Sequence, residues 1–241
     1  MTNIKTHFLW LFFMAHGLFA QSESNYPELS GSGSCIEELI PLGWQILSQA
    51  EGDLNGDGLA DLVFAIQSPL QETIEYSDGY ESDTLHINPR VLGIYFGERK
   101  GKFKKVFQSN TFIINRGSPT MDEPFKELGI LPSGELQINF YIWQCRECTS
   151  WSTHKYQFKY QSSEFELVRY EESITQRISG DETTYQVDFQ KGIVTILTTE
   201  SEEENNEPIT DGQIKRFELQ QLQSIKSLGE PFKWLFQNLH I

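Results

Sequence analysis

Lys155–Tyr170 reads KYQFKYQSSEFELVRY, and its periodicity sets the fold class. In the first half, aromatic and polar side chains alternate with period 2, which is the pattern of a strand with one buried and one wet face. Tyr156, Phe158 and Tyr160 are assigned to a core, and Lys155, Gln157 and Lys159 to solvent. The four polar residues Gln161–Glu164 separate this strand from FELVRY, so the two halves read as a hairpin.

The same texture extends in both directions. Short apolar runs rich in β-branched and aromatic residues predict strands near Trp44–Ala50, Leu62–Gln67, Arg90–Phe96, Phe103–Ser109 and Leu136–Trp143. Others are predicted near His154–Tyr160, Phe165–Tyr170, Thr184–Phe189, Ile193–Thr198 and Ile214–Leu219. Gly97–Gly101 (GERKG) and Gln190–Gly192 supply further reversals. Short helical turns are expected at Cys35–Ile40 and Gln220–Leu228, with Trp234, Leu235 and Phe236 packing back on the sheet. Ser68–Pro89 and the Glu-rich stretch 200–211 read as polar loops. The expected fold class is all-β, an antiparallel meander forming a sandwich or an incomplete, propeller-like stack.

The chain has 241 residues, 34 Asp+Glu against 19 Lys+Arg, and a formal charge of −15. Such a surface repels phosphate backbones and anionic lipid, which argues against nucleic acid as a partner. Hydrophobic residues at 38% are too many for a disordered acidic tail, so a packed core is expected. Met1–His7 is polar with one Lys, and Phe8–Ala20 is an apolar run of 13 residues ending in a small residue. This is the pattern of an export signal, and the run falls short of the roughly 20 residues a membrane span needs. Residues 1–20 are therefore read as a signal peptide cleaved after Ala20, 21–42 as a flexible Ser- and Gly-rich leader, and 43–241 as a single all-β domain. No other stretch approaches a transmembrane segment, so the exported chain is placed in the periplasm or outside the cell. Export exposes Cys35, Cys145 and Cys148 to oxidation. At least one disulfide is expected, either Cys145–Cys148 or a bridge from Cys35 to one of them, and one thiol is left over.

The sharpest local motif is Asp53-Leu54-Asn55-Gly56-Asp57-Gly58-Leu59-Ala60-Asp61. Oxygen side chains at positions 1, 3, 5 and 9 with Gly at 6 have the spacing that wraps a loop around Ca²⁺, which takes 6–8 hard oxygen ligands. Asp53, Asn55, Asp57 and Asp61 supply side-chain oxygens in this reading, and Leu59 its backbone carbonyl. A helix–loop–helix calcium hand needs Glu at position 12, where this chain has Phe64, and the flanks WQILSQAEG and LVFAIQ are strand-like. The loop is thus expected to cap a β-hairpin and to hold one structural Ca²⁺.

GDLNGDGLADLVFA resembles the calcium-loop core of FG-GAP/VCBS-type repeats, the units of β-propeller blades, and VLGIYFGERKGKF at Val91–Phe103 resembles the second half of such a unit. The resemblance covers about residues 44–110, occurs once, and is interrupted by the insertion Ser68–Pro89. It implies metal roles for Asp53, Asn55, Asp57, Leu59 and Asp61. A propeller needs four or more blades, so a plain propeller is not implied, and the aromatic meander at 130–241 lies outside the resemblance.

Other chemistry is weaker. Cys145-Arg146-Glu147-Cys148 has redox spacing but sits between two strands, where thiols lack the helix start that activates them. Zinc lacks a second ligand pair. His86, His154 and His240 are scattered, and Glu164/Glu166 and Glu171/Glu172 are acid pairs expected by chance in so acidic a chain. Tyr141, Trp143, Trp151 and Tyr156 are assigned to the core, with an exposed platform for a glycan or peptide as the other reading. The sequence thus predicts an exported, calcium-stabilised, non-catalytic binding or envelope-interaction module with an unknown protein or glycan partner. The alternative is an exported hydrolase whose catalytic residues carry no recognisable motif.

Overall fold

The alternation at Lys155–Tyr160 is built as expected: Tyr156 and Phe158 are buried, Lys155 and Lys159 exposed. In the computed structural model, which describes residues 26–77, 82–143, 148–201 and 209–241, this strand lies beside the central strand of an antiparallel seven-stranded sheet. The strands in chain order are β1 (Ser32–Gly33), β2 (Gln45–Gly52), β3 (Asp61–Gln67), β4 (Glu72–Ser77), β5 (Ser82–Ile87), β6 (Arg90–Glu98) and β7 (Lys102–Ser109). They continue with β8 (Phe125–Ile130), β9 (Leu136–Ile142), β10 (Ser150–Gln161), β11 (Glu164–Gln176), β12 (Glu182–Asp188), β13 (Ile193–Glu200) and β14 (Ile209–Arg216). Two short strands, β15 (Leu235–Phe236) and β16 (Leu239–His240), follow near the C-terminus. The helices are single turns, α1 (Ile36–Leu39) and α2 (Ile225–Leu228).

The fold is an all-β sandwich. One sheet has the order β1-β7-β6-β3-β2 and the other β14-β13-β12-β11-β10-β9-β8, the second a plain meander. The β10–β11 hairpin turns through Ser162 and Ser163, both with positive φ (53° and 67°), which matches the right-handed twist of the strands it joins. Between the sheets lies one core. Val63, Ala65, Leu92 and Ile94 of the smaller sheet meet Phe140, Tyr156, Phe158 and Val187 of the larger, with Phe112 wedged edge-on against Tyr156 and Phe158. One pair of edges is stitched together where Ser48 Oγ accepts from Leu128 N (3.2 Å).

Every residue of β3 from Asp61 to Ile66 is buried, because this sheet is covered on both faces. Leu62, Phe64 and Ile66 point away from the large core into a second one, closed by Leu29, Leu39, Val91 and Tyr95. Here the structure corrects the flexible leader: from Leu29 (2% exposed) to Leu39 (0%) the segment packs as a lid, and β1 pairs with β7. The lid forms because β3 and β6 present an apolar outer face that must be covered. Residues 1–25, carrying the predicted signal peptide, lie outside the described residues.

Ser68–Pro89 holds the hairpin β4–β5 where a loop was expected, its neck closed by Ser68 N on Pro89 O at 2.8 Å. β8 is a further strand not expected from sequence. The helical turn at Cys35–Ile40 is present as α1, and that at Gln220–Leu228 shrinks to α2 with a Ser224–Ser227 capping box. Phe236 packs back as expected, whereas Leu235 is exposed.

Candidate functional sites

The Asp53–Asp61 segment caps the β2–β3 hairpin, whose last pair is Gly52 with Asp61. Gly56 and Gly58 take positive φ (77° and 81°), which lets the chain coil tightly enough for side chains to reach its own amides. Asp53 Oδ1 accepts from Gly56 N (2.7 Å) and Asp57 N (3.2 Å), and its Oδ2 accepts from Gly58 N (2.8 Å). Asn55 Oδ1 shares the Asp57 N–H (2.9 Å), and Asn55 Nδ2 donates to Asp57 Oδ2 (3.1 Å). Leu59 contributes its amide, which donates to Asp57 Oδ1 (2.8 Å). Three of the predicted ligand residues, Asp53, Asn55 and Asp57, therefore converge around one backbone amide.

Asp61 stands apart from them. It is fully buried, its Oδ2 accepting from Leu54 N and its Oδ1 from Gly97 N, both at 2.8 Å. It thereby pins the loop to β6. Gly97 permits this, since a Cβ there would lie 2.2 Å from the Ala60 carbonyl oxygen. Burial raises the Asp61 pKa against the lowering effect of the two amides, and the charges of Asp57 and Asp53 raise it further. Asp61 thus senses both of the other carboxylates. Among the described residues no group of three or more His, Cys, Asp or Glu is gathered closely enough to hold a metal ion. The side-chain oxygens of Asp53, Asn55 and Asp57 are of the kind a hard cation takes, and in this structure they are engaged with the loop's own amides.

A second cluster lies inside the larger sheet. His154, 4% exposed, has Nε2 at 2.8 Å from Ser152 Oγ and Nδ1 at 2.7 Å from Tyr170 Oη. Tyr170 O–H donates to the His240 carbonyl (3.3 Å). With the Tyr170 proton on that carbonyl, Nδ1–H donates to Tyr170 and Nε2 accepts from Ser152; with it on Nδ1, Nε2–H donates to Ser152. Burial pushes the His154 pKa down to about 3, and pushes that of Tyr170 well up. A serine hydroxyl on an imidazole has the outline of a nucleophile and base. Yet an imidazole this desolvated is a weak base at neutral pH, and a phenol cannot stabilise imidazolium as a carboxylate does. Its evident role is to tie the C-terminal segment to the sheet. The Ser152–His154 contact was missed, although a spacing of two along a strand is a signal that could have found it, and nothing in the sequence placed Tyr170 beside it.

The third site is the outer face of the seven-stranded sheet, which no element covers among the described residues. Register lines up Gln137, Gln157, Arg169, Asp188, Ile193 and Arg216 in one cross-strand row, and Asn139, Lys155, Glu171, Gln186, Thr195 and Ile214 in the next. A groove of about 580 Å³ runs along them. Its polar side chains hold one another. Gln157 Nε2 donates to Gln137 Oε1 (2.9 Å), Lys155 Nζ to Glu171 Oε1 (2.6 Å), and Gln186 Nε2 to Glu171 Oε2 (3.0 Å). Lys191 Nζ lies 2.9 Å and Arg169 Nε 3.9 Å from Asp188 Oδ2. The net effect lowers the Asp188 pKa: burial pushes it up, but Lys191 and Arg169 outweigh that.

Of the four aromatics assigned to the core, only Tyr156 is there. Tyr141, Trp143 and Trp151 are half-buried; register puts Tyr141 and Trp151 on the outer face, and the Trp143 and Trp151 rings lie 6.2 Å apart. Lys126 sits over Tyr141 at 4.7 Å. Glu171 faces the groove while Glu172 lies on the other side, opposite His154, so this acid pair diverges. His86 is exposed on β5, near Thr73. Cys35 is a free, exposed thiol, which removes it from the expected disulfide; Cys145 and the rest of 144–147 lie outside the described residues. No described helix is long and apolar enough to cross a membrane. Set against protein-family models, curated proteins and solved structures, the chain matches none.

Proposed function

We propose that the chain is an exported, non-catalytic binding module whose partner, a protein or a glycan of the cell envelope, lies on the outer face of the seven-stranded sheet. The observation that carries this reading is the pre-ordered groove, in which Gln137, Gln157, Lys155, Glu171 and Gln186 are fixed by one another before any partner arrives. Groups held in place lose little freedom on binding. Sedimentation with bacterial envelope material tests it. The native chain is expected in the pellet, and Gln157→Ala with Arg169→Ala in the supernatant; equal sedimentation of both refutes the face.

The Asp53–Asp61 loop serves in this reading as a calcium-dependent tie. Asp53, Asn55 and Asp57, with the Leu59 carbonyl, would hold one Ca²⁺, and Asp61 would complete the charge and anchor the loop to β6. The ion supplies only cross-linking and charge neutralisation. The meander β2-β3-β6-β7 with the loop at its first turn supports the resemblance to a single FG-GAP/VCBS-type unit. With Cys35 free, the bridge falls to Cys145–Cys148. Removal of residues 1–20 and release to the periplasm or beyond complete the proposal.

The contact of Ser152 with His154 favours a second reading, an exported hydrolase. Covalent labelling of Ser152 by a fluorophosphonate supports that reading, and absence of labelling removes it.

A further inference from the structure

Charge and hydrogen-bonding capacity in the groove narrow its ligand class. We propose that it binds an uncharged polysaccharide, held by the paired polar rows and stacked at one end on Trp151. This inference rests on the binding reading above and deepens it.

Three features carry it. First, charge is balanced locally although the chain is strongly acidic. Lys155 is matched by Glu171, Lys191 by Asp188, and Arg169 by Asp188 and Glu135. A polyanion meets a protein of charge −15 in which the groove-lining cations Lys155, Arg169 and Lys191 already face carboxylates, and a basic polymer meets carboxylates already paired. A neutral ligand pays neither penalty. Second, the amide, carboxylate and guanidinium groups alternate donors with acceptors along each row. Sugar hydroxyls, which donate and accept at once, match the donors and acceptors these mutual bonds leave over, whereas an apolar peptide segment leaves those unmet. Third, the face carries a half-buried aromatic side chain, Trp151, at one end. Trp151 lies four residues from Lys155 along β10, about 13 Å away, with Thr153 and its partner Tyr141 between. The apolar faces of sugar rings stack on such rings while their hydroxyls reach the rows. From β9 to β14 the platform spans roughly 24 Å, long enough for several linked sugars.

The test is affinity electrophoresis of the full exported chain through gels containing a soluble β-glucan, a mannan or a xylan. Heparin, hyaluronan and a peptide digest serve as the other arms. Retardation by at least one uncharged polymer is expected, unchanged between low and high salt. Gln157→Ala and Trp151→Ala, each confirmed folded by its melt, should weaken it about fivefold or more, the loss of one net hydrogen bond or stacking contact. Lys100→Ala, on the distant β6–β7 turn, should leave it unchanged. If no uncharged polymer retards the chain, or the face variants behave as the native protein, the inference is overturned. If heparin or the peptides bind instead and the face variants abolish that binding, the ligand class fails while the binding face stands. If no ligand, envelope material included, depends on these residues, both fall together.

Discussion

The two sheets of the sandwich are built from the same kinds of residue and differ in how many faces they cover. In the smaller sheet, β3 is buried on both sides, with Val63 and Ala65 in the shared core and Phe64 and Ile66 under the N-terminal lid. In the larger sheet, β10 buries Tyr156 and Phe158 on one side and leaves Lys155 and Lys159 in water on the other. The lesson is a division of labour. The doubly covered sheet holds the loop and the lid in place, and the singly covered sheet keeps a large ordered surface free. Its polar side chains are tied to one another, so the surface is rigid without being buried.

The sharpest way to break this comparison is to truncate one side chain in each sheet to alanine. Phe64→Ala should cost about 3–5 kcal/mol, because a fully enclosed ring leaves a cavity that the lid cannot fill. Gln157→Ala, on the open face, should stay within about 0.5 kcal/mol. Urea unfolding of both variants checks the contrast, and similar losses would mean the outer face is structural.

Acid probes the inner side of the larger sheet. His154 has a folded pKa of about 3 against an unfolded value near 6.5, so the unfolded chain takes up the proton first. Stability should be full above about pH 6.5 and fall by about 1.4 kcal/mol per unit towards pH 3. Glu172, opposite on β11, acts with the reverse sign: burial raises its pKa, so its contribution is present at low pH and is lost as pH rises through the raised value. His154→Gln should flatten the fall between pH 6 and 5, above the range where carboxylates titrate, about 4. An unchanged slope there would show that His154 is not the buried base.

Smaller effects belong to the smaller sheet's loop. Asp61→Asn keeps the shape but replaces one acceptor oxygen by a donor facing an amide, and should cost about 1–3 kcal/mol in thermal or urea melts. Calcium should raise the melting temperature by several degrees, as ligand-linked stabilisation of about 1–3 kcal/mol does for a domain this size, and Asp57→Ala should remove the shift. Identical melts in chelator and in calcium would leave the loop as a turn held by its own amides.

Much of this architecture was legible in the chain. Period-2 alternation found the β10–β11 hairpin, and continuous apolar runs found β3 and β6, whose names in sequence are DLVFAIQ and RVLGIYFGE. The hairpin β4–β5 was hidden because its alternating Ile74 and Tyr76 are interleaved with acids and half-exposed, so the stretch has loop-like polarity. β8 was hidden by Pro124 before it and Gly129 within it. The lid was missed because Leu29 is an isolated apolar residue in a Ser- and Gly-rich stretch, and Ile36, Leu39 and Ile40 make only a single turn. Of the sites, the Asp53–Asp61 spacing was plain from the order of residues. The groove was not, because its rows are assembled from five and more strands by register, and register appears only when the strands pair.

Lysine acetylation read by mass spectrometry tests the open face most directly, with the chain free and then bound to envelope polysaccharide. Lys155 and Lys191 should lose reactivity on binding, while Lys100 on the far turn keeps it. Protection of Lys100 with Lys155 and Lys191 unchanged would contradict the account.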